Sequence, residues 1–156
     1  MMNKSESETE TKFMGIDFGE RRIGISVSDS GKKYSFNRDY LFNDKDLLGK
    51  LEKIIVSENV ERIIIGYPVS LKNRLTDLTE KVDDFAEALK QFLLIKKLNV
   101  EIAFFDERFT SKIAERSLLI SGIKKSKRKE KGLVDSISAQ MILQDYLDRM
   151  NNSTSG

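Results

Sequence analysis

The first apolar segment of the chain, residues 13–28, has the sequence FMGIDFGERRIGISVS. Two β-prone runs, residues 13–17 and 22–28, flank the tetrapeptide 18–21, whose glycine is typical of a β-hairpin turn. A third strand is predicted over residues 34–42, after a turn at residues 31–33. We therefore expect an antiparallel meander of three strands at the start of the fold.

Helices and strands alternate in the rest of the chain. Asn43 is the predicted cap of a helix that carries apolar residues at helical spacing and ends near Glu58. Short apolar runs at 62–66 and 100–105 predict two buried parallel strands, the first of them in the interior of the sheet. Amphipathic helices are predicted over about residues 76–97, 111–121 and 132–149. This order predicts an α/β fold with a mixed five-stranded sheet, a meander followed by alternating helices and strands, and helices on both faces.

The length of 156 residues predicts a single domain, which we place at residues 13–150. Residues 1–12 are polar and lack periodicity, so they predict a disordered lead, and residues 151–156 predict a flexible tail. No apolar run approaches the roughly 20 residues of a membrane span, and residues 1–12 lack the core of a signal peptide. We therefore expect a cytoplasmic protein with no membrane partner.

The composition excludes several classes of site. The chain contains no His and no Cys, so it cannot form a zinc finger, a Ser-His-Asp or Cys-His centre, a disulfide framework or a haem site. Any metal ion would be held by oxygen ligands, which favours Mg²⁺ or Mn²⁺.

Four carboxylates stand at positions that favour chemistry. Asp17 ends the first strand, Asp106 and Glu107 directly follow the last predicted strand, and Asp135 heads the inward row of the last helix. Each has a local alternative: Asp17 as a turn cap, the Asp106-Glu107 pair as a helix N-cap, and Asp135 as a first-turn acid. If they converge, their mutual repulsion requires a divalent cation, and two such ions about 3.5–4 Å apart can hydrolyse a phosphodiester without His or Cys.

Positive charge lies beside these acids. The net charge is only +2, but residues 121–131 hold six basic residues against one acidic residue, a local charge of +5. The candidate phosphate-binding residues are Arg21, Arg22, Arg108, Lys124, Lys125, Lys127, Arg128, Lys129 and Lys131. The alternatives are surface salt bridges for the arginines and a solvated loop for the lysine-rich run. Gly15, Gly19 and Gly24 would let a ligand approach the backbone, although a hairpin glycine is more often a turn residue.

The chain resembles a known family in four ordered segments: GIDFGERRIG at 15–24, IGYP at 65–68, DERFTS at 106–111 and KGLVDSISAQMILQDYL at 131–147. Together they resemble the YqgF/RuvX family of Holliday junction resolvases and pre-16S rRNA nucleases, over residues 13 to 148. The resemblance implies an RNase H-like fold and a divalent-metal nuclease, with Asp17 and Asp135 as ligands and the Asp106-Glu107 pair supplying a third. The usual RNase H-like acid on the neighbouring strand is missing at residues 65–68. The alternation of side chains along the strand does not decide between Asp106 and Glu107, because both faces of that strand are predicted to be buried. We favour Glu107 because its side chain reaches further.

The leading function implied by the resemblance is processing of the 5′ end of pre-16S rRNA in ribosome biogenesis. The alternative within the family is resolution of Holliday junctions in DNA, which would favour a symmetric homodimer. A nucleic-acid-binding module without catalysis and an ATP-binding protein are the competing classes. The presence of both Asp17 and Asp135 argues against the former, and the chain is too short for the second lobe that the latter needs. Sequence does not distinguish RNA from branched DNA as the partner.

Overall fold

The computed structural model describes residues 10–68, 77–106 and 131–155 of the chain. The strands are β1 Lys12–Asp17, β2 Arg22–Ser28, β3 Ser35–Phe42, β4 Val60–Tyr67 and β5 Glu101–Asp106. The helices within these ranges are α1 Leu47–Ser57, α2 Asp77–Ile95 and α3 Lys131–Ser155. The helix predicted over residues 111–121 lies outside the described residues.

The strands form one mixed sheet with the order β3-β2-β1-β4-β5. β1 pairs antiparallel with β2, and β2 pairs antiparallel with β3, which confirms the predicted meander. β4 pairs parallel with β1, and β5 pairs parallel with β4, which confirms the crossovers and the interior position of β4. β1, β4 and β5 therefore run in one direction and finish at one end of the sheet, which we call the carboxyl end.

Helices cover both faces of this sheet, as predicted. The larger core packs strand residues that include Met14, Ile16, Ile23 and Ile25 against the apolar sides of α1 and α2. A smaller core packs Phe13, Ile64 and Phe105 against Ile142, Leu143 and Leu147 of α3. Successive side chains of a strand point to opposite faces, and β1, β4 and β5 each contribute side chains to both cores. We refer to these surfaces as the α1/α2 face and the α3 face.

The described elements extend slightly beyond residues 13–150. β1 begins at Lys12, whose backbone N–H donates to the carbonyl of Asn59 at 3.0 Å. The Asn59 side-chain amide donates to the Glu10 carbonyl at 2.8 Å, so residues 10–12 are attached to the turn before β4. At the other terminus α3 continues past its predicted end at Arg149, and the Asn151 amide donates to the Lys32 carbonyl at 3.1 Å.

Two local expectations are wrong. Asn43 does not cap α1, which begins at Leu47; instead its side-chain amide donates to the carbonyl of Gly19 at 3.0 Å. β5 is not buried on both faces, because it is the edge strand of the described sheet and Phe104 is 46% exposed. None of the helices in the described ranges is both long and apolar enough to cross a membrane.

Candidate active site

Two of the predicted acids end strands at the carboxyl end of the sheet. Asp17 is the last residue of β1 and Asp106 is the last residue of β5, and both are half-buried. Ile16 pairs with Ile65, and Ile65 pairs with Phe104, so the parallel strands reach this end nearly level with one another. Because neighbouring strands lie about 4.8 Å apart, the backbones of Asp17 and Asp106 are separated by about 10 Å across β4.

Asp17 lies on the α3 face. Met14 and Ile16 belong to the core under α1 and α2, whereas Gly15 lies against α3. The strand alternation therefore places Asp17, two residues after Gly15, on the same face as α3.

Asp106 lies on the opposite face of the sheet. Phe105 belongs to the core under α3, so Asp106 falls on the α1/α2 face, next to its register partner Tyr67. The Tyr67 hydroxyl donates to Asp83 of α2 at 3.1 Å, and burial, together with this carboxylate, raises the pKa of Tyr67. Strand parity thus separates Asp106 from Asp17, a distinction that sequence alone does not make. Glu107 lies outside the described residues.

A close contact between α3 and β1 sets the position of the helix. Gly15 has no side chain, and a Cβ built on it would lie 2.7 Å from Cβ of Leu143 and 2.9 Å from the carbonyl oxygen of Ala139. The same Cβ would lie 2.4 Å from Oγ of Ser26, its neighbour on β2. Gly15 therefore lets the helix approach the sheet; the expectation that it admits a ligand is replaced by this packing role.

Ser26 is a site-forming residue that the sequence analysis missed. Its side chain is fully buried, and its hydroxyl donates to the carbonyl of Ala139 at 2.8 Å, a bond between residues 113 positions apart. A buried hydroxyl without a partner is costly, so this bond holds β2 and α3 together. The available signal was a serine within an apolar strand, which by itself does not identify the helix whose carbonyl accepts its hydrogen bond.

The direction of α3 brings its first turns to the carboxyl end of the sheet. Ala139 lies over Gly15, whereas Asn151 reaches Lys32 in the β2–β3 turn, at the opposite end of the sheet. Position 135 precedes Ala139 by one helical turn, about 6 Å along the axis. Asp17 lies two residues beyond Gly15, about 6.6 Å along β1 in the same direction. The backbone therefore brings Asp17 and position 135 to the same end and the same face of the sheet.

Arg21 lies in the β1–β2 turn, and Arg22 is the first residue of β2, two positions before Gly24, the register partner of Asp17. The Asn43 backbone N–H donates to the Arg21 carbonyl at 2.9 Å, and its side chain binds the Gly19 carbonyl, so the turn is held from β3. A Cβ on Gly19 would lie 2.4 Å from the carbonyl oxygen of Arg22, which explains the glycine as a close-approach residue of the turn. Arg21 is exposed and Arg22 is half-buried.

Glu20, in the same turn, forms an ion pair with Lys81 of α2. This pair adds a second tie between the turn and the body of the protein.

The remaining predicted residues are placed only in part. Lys131 is the first residue of α3, while Arg108 and the basic residues at 124, 125, 127, 128 and 129 lie outside the described residues. Among the described side chains, which include Asp17 and Asp106, no group of three acids is close enough to hold a metal ion.

Comparison with known proteins shows similarity along nearly the whole chain. A family model described as "RuvX: Holliday junction resolvase" matches residues 11–149. A protein of Sulfurihydrogenibium sp. (strain YO3AOP1), named "Putative pre-16S rRNA nuclease", is 37% identical over 143 residues, which cover 92% of this chain and 94% of the relative. A protein of the same name from Dictyoglomus turgidum is 36% identical over 145 residues, covering 92% of this chain and 98% of the relative.

Solved structures share the fold at low sequence identity. The T. thermophilus RuvC in complex with Holliday junction substrate has a TM-score of 0.58 and 14% identity, covering 90% of this chain and 96% of that chain. The Fowlpox virus resolvase in complex with Holliday junction DNA has a TM-score of 0.50 and 11% identity, covering 90% of this chain and 99% of that chain. These likenesses confirm the RNase H-like architecture.

Proposed function

Because the chain belongs to the RuvX family, we propose that it is a metal-dependent endonuclease that cuts structured nucleic acid and processes the 5′ end of pre-16S rRNA. Hydrolysis adds the oxygen of a water molecule to phosphorus and breaks the bond to the leaving oxygen of the neighbouring nucleotide. The chain has neither His nor Cys, so carboxylates are the groups that remain to position the attacking water.

The observation that carries the proposal is the close packing of α3 on Gly15. A Cβ built on Gly15 would lie 2.9 Å from the Ala139 carbonyl oxygen, so the helix lies directly over β1. From this contact, Asp17 and position 135 both lie toward the carboxyl end of the sheet. Two acids from opposite ends of the sequence are thus supported at one sheet end, where α/β proteins commonly bind ligands.

The donor set fits a hard divalent cation. The candidate ligands are carboxylates only, and Mg²⁺ and Mn²⁺ prefer oxygen ligands. Asp17, Asp135 and one acid of the Asp106-Glu107 pair would hold the metal. When bound, such an ion neutralises the clustered carboxylates and lowers the pKa of a coordinated water.

We assign the third carboxylate to Glu107. Asp106 lies on the α1/α2 face, while Asp17 lies on the α3 face, so Asp106 would have to reach around the end of the sheet. The residue that follows Asp106 in the sequence is the alternative with the longer side chain. Glu107→Gln should therefore reduce cleavage more strongly than Asp106→Asn.

Substrate phosphates would be bound by the cationic residues around this site. Arg21 in the β1–β2 turn and Arg22 at the start of β2 lie at the end of the sheet where Asp17 lies, and a guanidinium can bind two phosphate oxygens at once. Arg108 and the +5 segment at residues 121–131, which immediately precedes most of α3, supply further positive charge.

The decisive experiment compares Asp17→Asn with the wild type on precursor rRNA in the presence of Mg²⁺ or Mn²⁺. We expect cleavage at the 5′ end by the wild type, loss of at least about 100-fold in the variant, and no cleavage after chelation. Asp84→Asn, which changes an exposed acid on α2, is the matched control and should cleave normally. Normal cleavage by Asp17→Asn, with an unchanged melting temperature in both variants, would exclude the assigned site.

Resolution of Holliday junctions is the second candidate function, since the family model carries that description and both solved structures hold junction DNA. Symmetric cutting of a four-way junction requires two active sites, so this function would need a homodimer. Parallel incubation with precursor rRNA and a four-way DNA junction, together with the sedimentation coefficient, distinguishes the two. If a dimer cleaves the four-way junction faster than the precursor rRNA, junction resolution is the function and RNA processing is not.

A further inference from the structure

The edge strand β3 carries aromatic and cationic residues at every second position. Tyr34 precedes the strand, and Phe36, Arg38, Tyr40 and Phe42 follow at intervals of two. In a regular strand this spacing would place all of them on one face of the sheet.

A β-bulge interrupts that alternation in the middle of β3. Ser26 of β2 pairs with Asn37, but the preceding residue, Ile25, pairs with Asp39, so Arg38 is the extra residue. Asp39 has a φ of 107°, which is unfavourable for a residue other than glycine. Its backbone N–H donates to the Asn37 side-chain oxygen at 2.8 Å, and its own carboxylate accepts from the Tyr40 N–H at 2.9 Å. The polar side chains of the bulge therefore support its strained conformation.

The bulge turns the two halves of β3 to different faces. Phe36 pairs with Val27, which shares the α1/α2 side of β2 with Ile25. After the bulge Leu41 packs into the core under α1 and α2, so its neighbours Tyr40 and Phe42 lie on the α3 face. The same strand thus presents aromatic side chains on both faces.

Tyr40 and Phe42 share their face with the proposed catalytic acid. Asp17 pairs with Gly24, and Gly24 pairs with Tyr40, so the three residues form one row across β1, β2 and β3. The next row pairs Arg22 with Phe42. With strands about 4.8 Å apart, Tyr40 lies about 10 Å from Asp17 along its row.

The two rings form an aromatic pair in which Tyr40 is half-buried and Phe42 is exposed. Their centroids are 5.5 Å apart with an interplanar angle of 87°, and Phe42 is 51% exposed. An edge-to-face pair holds each ring in a defined orientation and leaves a ring surface available to a planar ligand. Unpaired bases stack on such rings regardless of sequence, and Arg22, the register partner of Phe42, would place positive charge near the attached phosphate.

Resting on the proposed nuclease function, we propose that Tyr40 and Phe42 stack an unpaired base of the substrate next to the cleavage site. The pair would select nucleic acid with single-stranded nucleotides flanking the scissile bond. A fully paired duplex keeps its bases stacked inside the helix and offers none to the rings. The substrate class is therefore nucleic acid with unpaired nucleotides next to the scissile bond.

The test measures binding in the Asp17→Asn background, so that no cleavage occurs. The probes are a fluorescein-labelled single-stranded RNA and a blunt duplex of the same sequence, followed by anisotropy. Phe42→Ala should weaken single-strand binding about tenfold, equivalent to about 1.4 kcal/mol, and leave duplex binding unchanged. Phe42→Tyr should retain the affinity and Phe42→Leu should not, because leucine is apolar but cannot stack.

Phe36→Ala is the matched control. It removes the same side chain from the same strand, at a comparable exposure of 56%, but on the opposite face. Equal effects of Phe36→Ala and Phe42→Ala on RNA affinity would overturn the proposal. So would a dimer that Phe42→Ala dissociates without any change in RNA affinity, which would identify a self-association surface.

These outcomes are separate from the test of the nuclease. If Phe42→Ala weakens single-strand binding but the wild type does not cleave, the stacking proposal stands and the nuclease proposal is refuted. If cleavage depends on Asp17 but Phe42→Ala binds single-stranded RNA normally, the nuclease proposal stands and the stacking proposal is refuted.

Discussion

Replacing Gly15 by alanine should displace α3 from the sheet. The added methyl group would meet Ser26 Oγ at 2.4 Å, Leu143 Cβ at 2.7 Å and the Ala139 carbonyl oxygen at 2.9 Å. Two of these atoms belong to α3, and neither is the end of a flexible side chain. The helix or the strand must therefore move to admit one carbon atom.

The expected cost follows from the contacts involved. Overpacking a well-packed site by one methyl group costs about 1–3 kcal/mol. Ser26 can rotate away only by giving up its 2.8 Å bond to the Ala139 carbonyl, which adds about 1 kcal/mol. We expect a total loss of about 2–4 kcal/mol, which in a chain of this size lowers Tm by roughly 4–16 °C. Because Asp135 moves with α3, the rate of cleavage should fall as well.

Urea denaturation followed by circular dichroism measures the free energy of unfolding. Gly49→Ala is the control, since nothing lies within 4 Å of a Cβ at this exposed position in α1, and alanine should stabilise the helix by about 0.5–1 kcal/mol. Ser26→Ala combined with Gly15→Ala should cost less than the sum of the single changes, because the two side chains share one contact. A Gly15→Ala protein within about 0.5 kcal/mol of the wild type would refute the close packing of α3 on β1.

Two further predictions concern the other end of the sheet. The hydrogen bond from Lys12 holds the pKa of Glu58 below its ordinary value. The ionised Glu58 carboxylate therefore stabilises the folded state fully above the pKa it has in the unfolded chain, and this stabilisation is lost as pH falls through its pKa in the folded protein. Unfolding free energies from about pH 7 to about pH 3 should therefore fall less steeply for Glu58→Gln than for the wild type, and parallel curves would contradict this linkage. Arg62 stacks on Phe13 at 4.9 Å and donates to the Tyr146 hydroxyl at 2.9 Å, so Arg62→Lys should destabilise the protein by about 1 kcal/mol. Equal urea midpoints for Arg62→Lys and the wild type would show that the guanidinium plane is not needed there.

Much of the fold could be predicted because its signals are local. The hairpin is encoded by two β-prone runs around Gly19, and the parallel strands by apolar runs that end at residues 66 and 105. Helix periodicity predicted α2 and most of α3 for the same reason, since the burial of one helical face requires apolar residues at fixed intervals. Errors arose at ends, as at Asn43, whose amide binds a turn of the preceding hairpin instead of the helix that follows.

The candidate site was predictable as a set of residue types and less so as a geometry. The lack of His and Cys and the acids at strand ends are properties of the sequence, and they suffice to favour an oxygen-liganded metal. The choice between Asp106 and Glu107 depends on which side of β5 meets α3, and that depends on packing against Phe105.

The sequence by itself determined the order of strands and helices, the chemical types available to the site and the family to which the chain belongs. Only the tertiary structure decided that α3 packs on Gly15 and accepts a hydrogen bond from Ser26, and that a bulge at Arg38 turns Tyr40 to the face of Asp17. The physical reason is distance along the chain. Strand and helix periodicity act between neighbours, whereas the Ser26 bond joins residues 113 positions apart, and a bulge changes which face a residue takes without changing its spacing in sequence.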